Sequence, residues 1–160
     1  MQTATIHQLK KELQLLDREQ ILQLCLRLAR FKLENKELLT YLIFDAEHED
    51  RFKLMIKGEL EEQIREAKKP NTYYTKKGLR KSLRYLDKVI RFSGKKETEI
   101  ELRLHFVRQV KENKIPIHRS KVLENMLATQ LKKINSAMEK VHEDLQHDYG
   151  MELSEILGNG

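Results

Sequence analysis

Apolar residues recur at spacings of three and four along almost the whole chain, which is the period of one helix face. Thr5 with Gln8, and Asp17 with Gln20, stand at the spacing of a capping box, in which side chains satisfy the orphan backbone donors of a helix start. The pattern predicts a first helix over Ile6–Leu16. A second reaches about Lys32, with Ile21, Leu22, Leu24, Cys25, Leu28 and Ala29 on one face. Asn35 is placed to cap a third, Lys36–Phe44. A fourth over His48–Lys68 carries Phe52, Met55, Ile56, Leu60, Ile64 and Ala67 as its stripe, with Gly58 as a close packing point or a bend. Pro70 ends that helix, and Thr75 is placed to cap a fifth that closes at Ser93-Gly94. A sixth, Glu97–Lys114, turns Ile100, Leu104, Val107 and Val110 inward and is blocked by Pro116. Ser120 then opens the longest helix, to about Tyr149, with a seam of Leu123, Met126, Leu127, Leu131, Ile134, Met138, Val141 and Leu145. Gly150 is expected to stop it, leaving a short amphipathic turn, Met151–Leu157, and a frayed tail at 158–160.

No segment alternates apolar and polar residues with the β-branched enrichment of a strand. The expected class is all-α, about seven helices paired as consecutive helical hairpins in a bundle or a short α–α stack. No fixed repeat period is present, and no interior linker divides the chain, so a single domain over 1–157 is expected.

Composition agrees with this pattern. The 160 residues contain only six glycines and two prolines and no tryptophan, which leaves little with which to build hairpin turns. The single cysteine, Cys25, excludes an intrachain disulfide and a multi-cysteine zinc site, and its leucine neighbours make it read as a core residue. The N-terminus lacks the charged start and apolar run of a signal peptide. The most apolar stretch, Leu38–Phe44, is far shorter than the ~20 residues of a spanning helix. A soluble, cytoplasmic protein without a membrane partner is expected.

Three segments, "LKKELQLLDREQILQLCLRL", "NKELLTYLIFD" and "LRKSLRYLDKVIRF", resemble an uncharacterised family of bacterial all-helical proteins. The resemblance implies a helical fold and a bacterial cytoplasmic setting. It implies no activity, cofactor or site residue.

Several chemistries are missing from the pattern. Gly58, Gly78 and Gly94 stand alone, so no glycine loop can cradle a phosphate. No serine sits in a nucleophile elbow. His142 and His147, five apart, are rotated by about 140° on a helix and cannot chelate one ion from a straight face. Glu139 and His142 have the Glu-x-x-His spacing of a di-metal bundle, but the nearest second motif, Asp45 with His48, falls at a helix break. Asp45, Glu47, Glu49 and Asp50 read as carboxylates complementing the dipole of the fourth helix. No catalytic residue, metal site or cofactor is expected, and the chain does not read as an enzyme.

Charge changes the picture at one place. The net charge is +6, yet residues 68–96 hold eleven basic residues and one acid, Asp87, so the remainder is net acidic. On a helix with Leu79 at 0°, Leu83, Leu86 and Ile90 lie within about 40° of it, while Lys77, Arg80, Lys81, Arg84, Lys88, Arg91 and Lys95 fall between about 100° and 200°. Like charges four apart oppose the helix by a few tenths of a kcal/mol each. A face kept only for solvation would mix in glutamates, as the fourth helix does. Tyr73 and Tyr74, just ahead of the stripe, offer stacking surfaces. The expected function is a non-enzymatic interaction protein, an adaptor or scaffold for an unidentified protein partner, with the basic helix 76–96 as its contact surface. The alternative partner for the same helix is nucleic acid or another polyanion.

Overall fold

In the computed structural model, which describes residues 1–158, the chain is all-α and the described residues contain no strand. The described residues form eight α-helices: α1 (Ile6–Leu13), α2 (Arg18–Phe31), α3 (Leu33–Thr40), α4 (Glu49–Ala67), α5 (Thr72–Ser93), α6 (Lys96–Glu112), α7 (Lys121–Met138) and α8 (Glu143–Gly158). A π-helical turn, Tyr41–Asp45, follows α3, and a 3-10 turn, Ile117–Arg119, precedes α7. Asn159 and Gly160 of the expected tail lie outside the described residues, and Gly158 is the last residue of α8. None of the described helices is long and apolar enough to cross a membrane. The chain divides at the π turn into two compact units, Met1–Phe44 and Asp45–Gly160.

The first unit holds α1 to α3. Both capping boxes form: Thr5 with Gln8 and Asp17 with Gln20 exchange side-chain and backbone hydrogen bonds. The cap expected of Asn35 does not. Lys32 is extended and breaks the helix, so α3 starts at Leu33, and the Asn35 side-chain amide donates to the Leu28 carbonyl (2.8 Å) near the end of α2. α2 and α3 pack together, but in the whole unit only Ala29 and Tyr41 are buried. Cys25, expected in the core, is half-buried.

The second unit is built around α6. Thr98, Ile100, Leu102, Arg103, Leu104, Phe106, Val107 and Val110 are all buried, covering most of the helix circumference, as befits a helix packed on four others. α4 and α5 cover one side of it. On the other, Ile100, Leu104 and Val107 meet Ile134 and Ala137 of α7 and Tyr149 and Ile156 of α8. The four apolar positions expected to face inward do so, and Leu102 and Phe106 join them from the opposite side.

In the second unit two further helix ends differ from expectation. The long seventh helix breaks at residues 139–142, where no glycine or proline marks it, and Gly150 lies inside α8. The His142 ring accepts a hydrogen bond from the Asp144 amide (3.2 Å), and the Gln146 side chain donates to the Val141 carbonyl (2.9 Å). The break lets Tyr149 and Ile156 turn back onto α6, burial that a straight helix would forgo. At α5, Asn71 is the cap, accepting from the Tyr73 amide (2.9 Å). Thr75 is instead buried one turn inside, its hydroxyl donating to the Lys69 carbonyl and accepting from the Lys69 amide, both at 3.1 Å. Gly94 closes α5 in the left-handed conformation (φ 68°).

The close helix approach is not at Gly58, which faces open space, but at Gly78. A Cβ built on Gly78 would meet the Ala67 Cβ at 2.7 Å and its Cα at 2.9 Å. Thr75, Gly78 and Ser82 form a stripe of small residues, three and four apart, that lets α4 and α5 come together. The two glycines should therefore respond with opposite signs. Gly58→Ala gains helix propensity and raises stability by about 0.5–1 kcal/mol. Gly78→Ala, despite the same propensity gain, lowers it through backbone overlap by about 1–3 kcal/mol. Urea denaturation of both variants checks this.

Candidate contact site

The outward face of α5 carries the lopsided charge, and the structure sorts its cations into paired and free. Lys77, Arg80, Lys81 and Arg84 are exposed and have no ion pair among the described residues. Lys88 is half-buried, with its ammonium 5.7 Å from the centre of the Tyr85 ring. The Tyr85 hydroxyl is held by Glu59 of α4. Arg91 is exposed but engaged with neighbouring groups. Lys95 does not belong to the stripe: α5 ends at Ser93, the chain turns at Gly94, and Lys95 pairs with Glu49 (3.3 Å) at the start of α4. Seven expected contact cations thus become four free ones in a patch along about 10 Å of helix.

Asp87, the lone acid, is turned away from them. It accepts from Arg103 of α6 (2.9 Å) and from Lys133 of α7 (3.2 Å). Arg103 is 4% exposed and also donates to Glu99 (3.1 Å) and to the buried Gln130 (2.8 Å). A guanidinium removed from water needs this set of acceptors, because its desolvation costs several kcal/mol. Burial by itself pushes the Glu99 carboxyl up, but hydrogen bonds from Lys96 and Arg103, with their charges, bring it below the ordinary value. Asp87 and Glu99 are therefore engaged with cations of α6 and α7.

Beside the free cations lies a shallow cleft of about 320 Å³ between the end of α4 and the first half of α5. Lys69, Lys77, Lys81 and Arg84 line it with Tyr74, against one acid, Glu66. Ser82 and Gln63 are at its wall, and the Ser82 hydroxyl and the Gln63 side-chain oxygen are buried without a hydrogen-bond partner. Tyr73 and Tyr74 stand edge to face, ring centres 5.3 Å apart, 59% and 57% exposed. Lys69, Gln63 and Ser82 are not among the residues expected from sequence. The signal for Ser82 is its place on the small-residue stripe with Thr75 and Gly78. Lys69 and Gln63 reach the cleft only through the way α4 crosses α5. A larger cleft of about 600 Å³ at the α6–α8 end offers less, since Lys111 there donates to the Ile156 and Leu157 carbonyls and Arg108 pairs with Glu152 (2.9 Å).

The acidic cluster ahead of α4 has further tasks besides facing the helix dipole. Asp45 pairs with Arg51 (3.0 Å), and Glu49 accepts from Thr98 (2.7 Å) and Ser93 at the α5–α6 turn. No group of three or more histidine, cysteine or acidic residues among those described is placed to hold a metal ion. The chain matches no protein-family model, and no curated protein or solved structure is similar to it.

Free and structural charges should separate in stability measurements. Lys81→Ala and Arg84→Ala stay within about 0.5 kcal/mol of the wild type. Asp87→Ala costs about 1–2 kcal/mol, less than a fully buried pair because Asp87 is 41% exposed and Arg103 keeps Glu99 and Gln130. The lowered pKa of Glu99 sets a pH dependence. Its stabilisation is complete above the ordinary value of 4.5 and is lost as pH falls through the lower folded value. Glu99→Gln flattens that part of the stability–pH curve, read by thermal melts across the acidic range.

Proposed function

We propose that the protein is a non-enzymatic adaptor that holds an acidic protein surface on the first half of α5. The observation that carries this reading is that Lys77, Arg80, Lys81 and Arg84 remain exposed and unpaired while Asp87 is bound internally. Elsewhere in the second unit, cations such as Lys53, Arg103 and Arg108 are matched with carboxylates. Four unpaired charges four and fewer residues apart repel one another, and a complementary acidic patch relieves that repulsion on binding. The short extent of the patch favours a compact acidic surface over a long polyanion tract. Steering by such a patch raises the association rate more than the final affinity.

A second reading has its own observation in Tyr73 and Tyr74, exposed at the entrance to the patch as rings on which bases can stack. Under it the ligand is a short stretch of single-stranded nucleic acid. Four phosphate contacts limit the slope of log affinity against log salt to about −3 on a single strand.

One titration tests both. A labelled acidic peptide and a labelled oligonucleotide of equal charge are followed by fluorescence anisotropy at low and physiological salt. The adaptor reading expects the peptide to bind, to weaken with salt, and to lose at least tenfold in affinity with Lys81→Glu/Arg84→Glu. The exposed Lys140→Glu serves as the control that changes little. Preferential binding of the oligonucleotide, lost with Tyr73→Ala/Tyr74→Ala, transfers the site to the second reading. Binding of neither ligand at low salt removes both.

A further inference from the structure

We infer that the N-terminal unit, Met1–Phe44, is a homodimerisation module whose apolar surface is covered by the same unit of a second copy. Forty-four residues bury only Ala29 and Tyr41. Chains of about that length ordinarily need a disulfide, a metal or oligomerisation to hold a fold. The single cysteine rules out an intrachain disulfide, and no metal-binding cluster is present among the described residues. Isolated helices as short as α1 and α2 are marginal in water, however well capped.

The apolar surface is ordered as helix stripes. On α1, Ile6 and Leu9 lie on the turn leading to Leu13, and all three are exposed. On α2, Leu24, Leu28 and Phe31 repeat at four and three, with Leu28 61% and Phe31 84% exposed. Thirteen large apolar side chains between Ile6 and Phe44 are exposed in all. At on the order of 100 Å² each, they offer on the order of 1,000 Å², more than the few hundred Å² of an ordinary monomer patch and above the ~800 Å² per partner of a standard interface.

Three features select a second copy as the occupant. Stripes at spacings of three and four pack best against stripes of the same kind, and two helical pairs make a four-helix arrangement. The flanking charges are nearly balanced, seven basic residues and five acidic over residues 1–44, so two copies do not repel and their rims can pair. A two-fold interface requires the same patch on both partners. No other described surface of the chain matches it: among large aliphatic residues the second unit exposes only Leu54, Met55, Met151 and Leu157. The inference is independent of the reading of the basic face.

Sedimentation equilibrium or light scattering on the full chain from 1 to 100 µM tests it. The expected result is twice the chain mass at 10 µM, insensitive to added salt because the contact is apolar. Leu24→Glu/Leu28→Glu is expected to weaken association at least tenfold, leaving a monomer in which the second unit unfolds with unchanged cooperativity. Lys81→Glu/Arg84→Glu is expected to remain a dimer. A wild type that is monomeric at 100 µM overturns the inference, as does a dimer that survives Leu24→Glu/Leu28→Glu. If the glutamates unfold more than the first unit by circular dichroism, Leu24→Ser/Leu28→Ser makes the same distinction.

Discussion

Arg103 brings a full positive charge into the middle of α6, the helix that the second unit is packed around. A charge so placed must be met by acceptors from every side, and it is: Asp87 from α5, Glu99 from its own helix and Gln130 from α7. Three helices are thereby fixed in rotation and in register, because a slip of either neighbour would strand a buried guanidinium. Replacing such a group by a hydrophobe is often harmless, whereas removing one of its partners is not. The network therefore specifies the arrangement more than it stabilises it.

The same network shapes the surface. Pairing Asp87 with Arg103 and Lys133 takes the one carboxylate of α5 away from the outer face of that helix. The Lys133 ammonium adds a second internal claim on it. The basic face is thus the complement of an internal need, and its four free cations make no ion pair among the described residues. The small-residue stripe of Thr75, Gly78 and Ser82 acts on the same helix from the other side, bringing the end of α4 close enough to place Lys69 beside Lys77, Lys81 and Arg84. Packing thus turns a stripe of charge into a cleft.

The two units treat amphipathic helices differently. In the second, each apolar stripe finds a facing helix, and even the break at residues 139–142 returns Tyr149 and Ile156 to the core. In the first, equally regular stripes on α1 and α2 stay largely open. Periodicity reports that a helix has an apolar side. It carries no information on whether that side is met within the chain.

The sequence by itself determined the helical class, both capping boxes, the stop at Gly94, and most of the inward positions of α4 to α6, with Met55 and the half-buried Leu83 as exceptions, since each depends on residues a few positions apart. It also placed Lys77, Arg80, Lys81 and Arg84 on one outward face, which is a matter of rotation alone. Only the tertiary structure decided that Lys95 pairs with Glu49, that Met55 stays exposed and Cys25 half-buried, and that Asn35 serves the end of α2 rather than the start of α3. It alone decided that the seventh helix is two, and that Arg103 is buried. Asn35 meets Leu28 only seven residues away, but Lys95 and Arg103 depend on groups that meet across tens of residues, where a polar side chain facing the core is inconsistent with local pattern and acceptable only because distant partners converge on it.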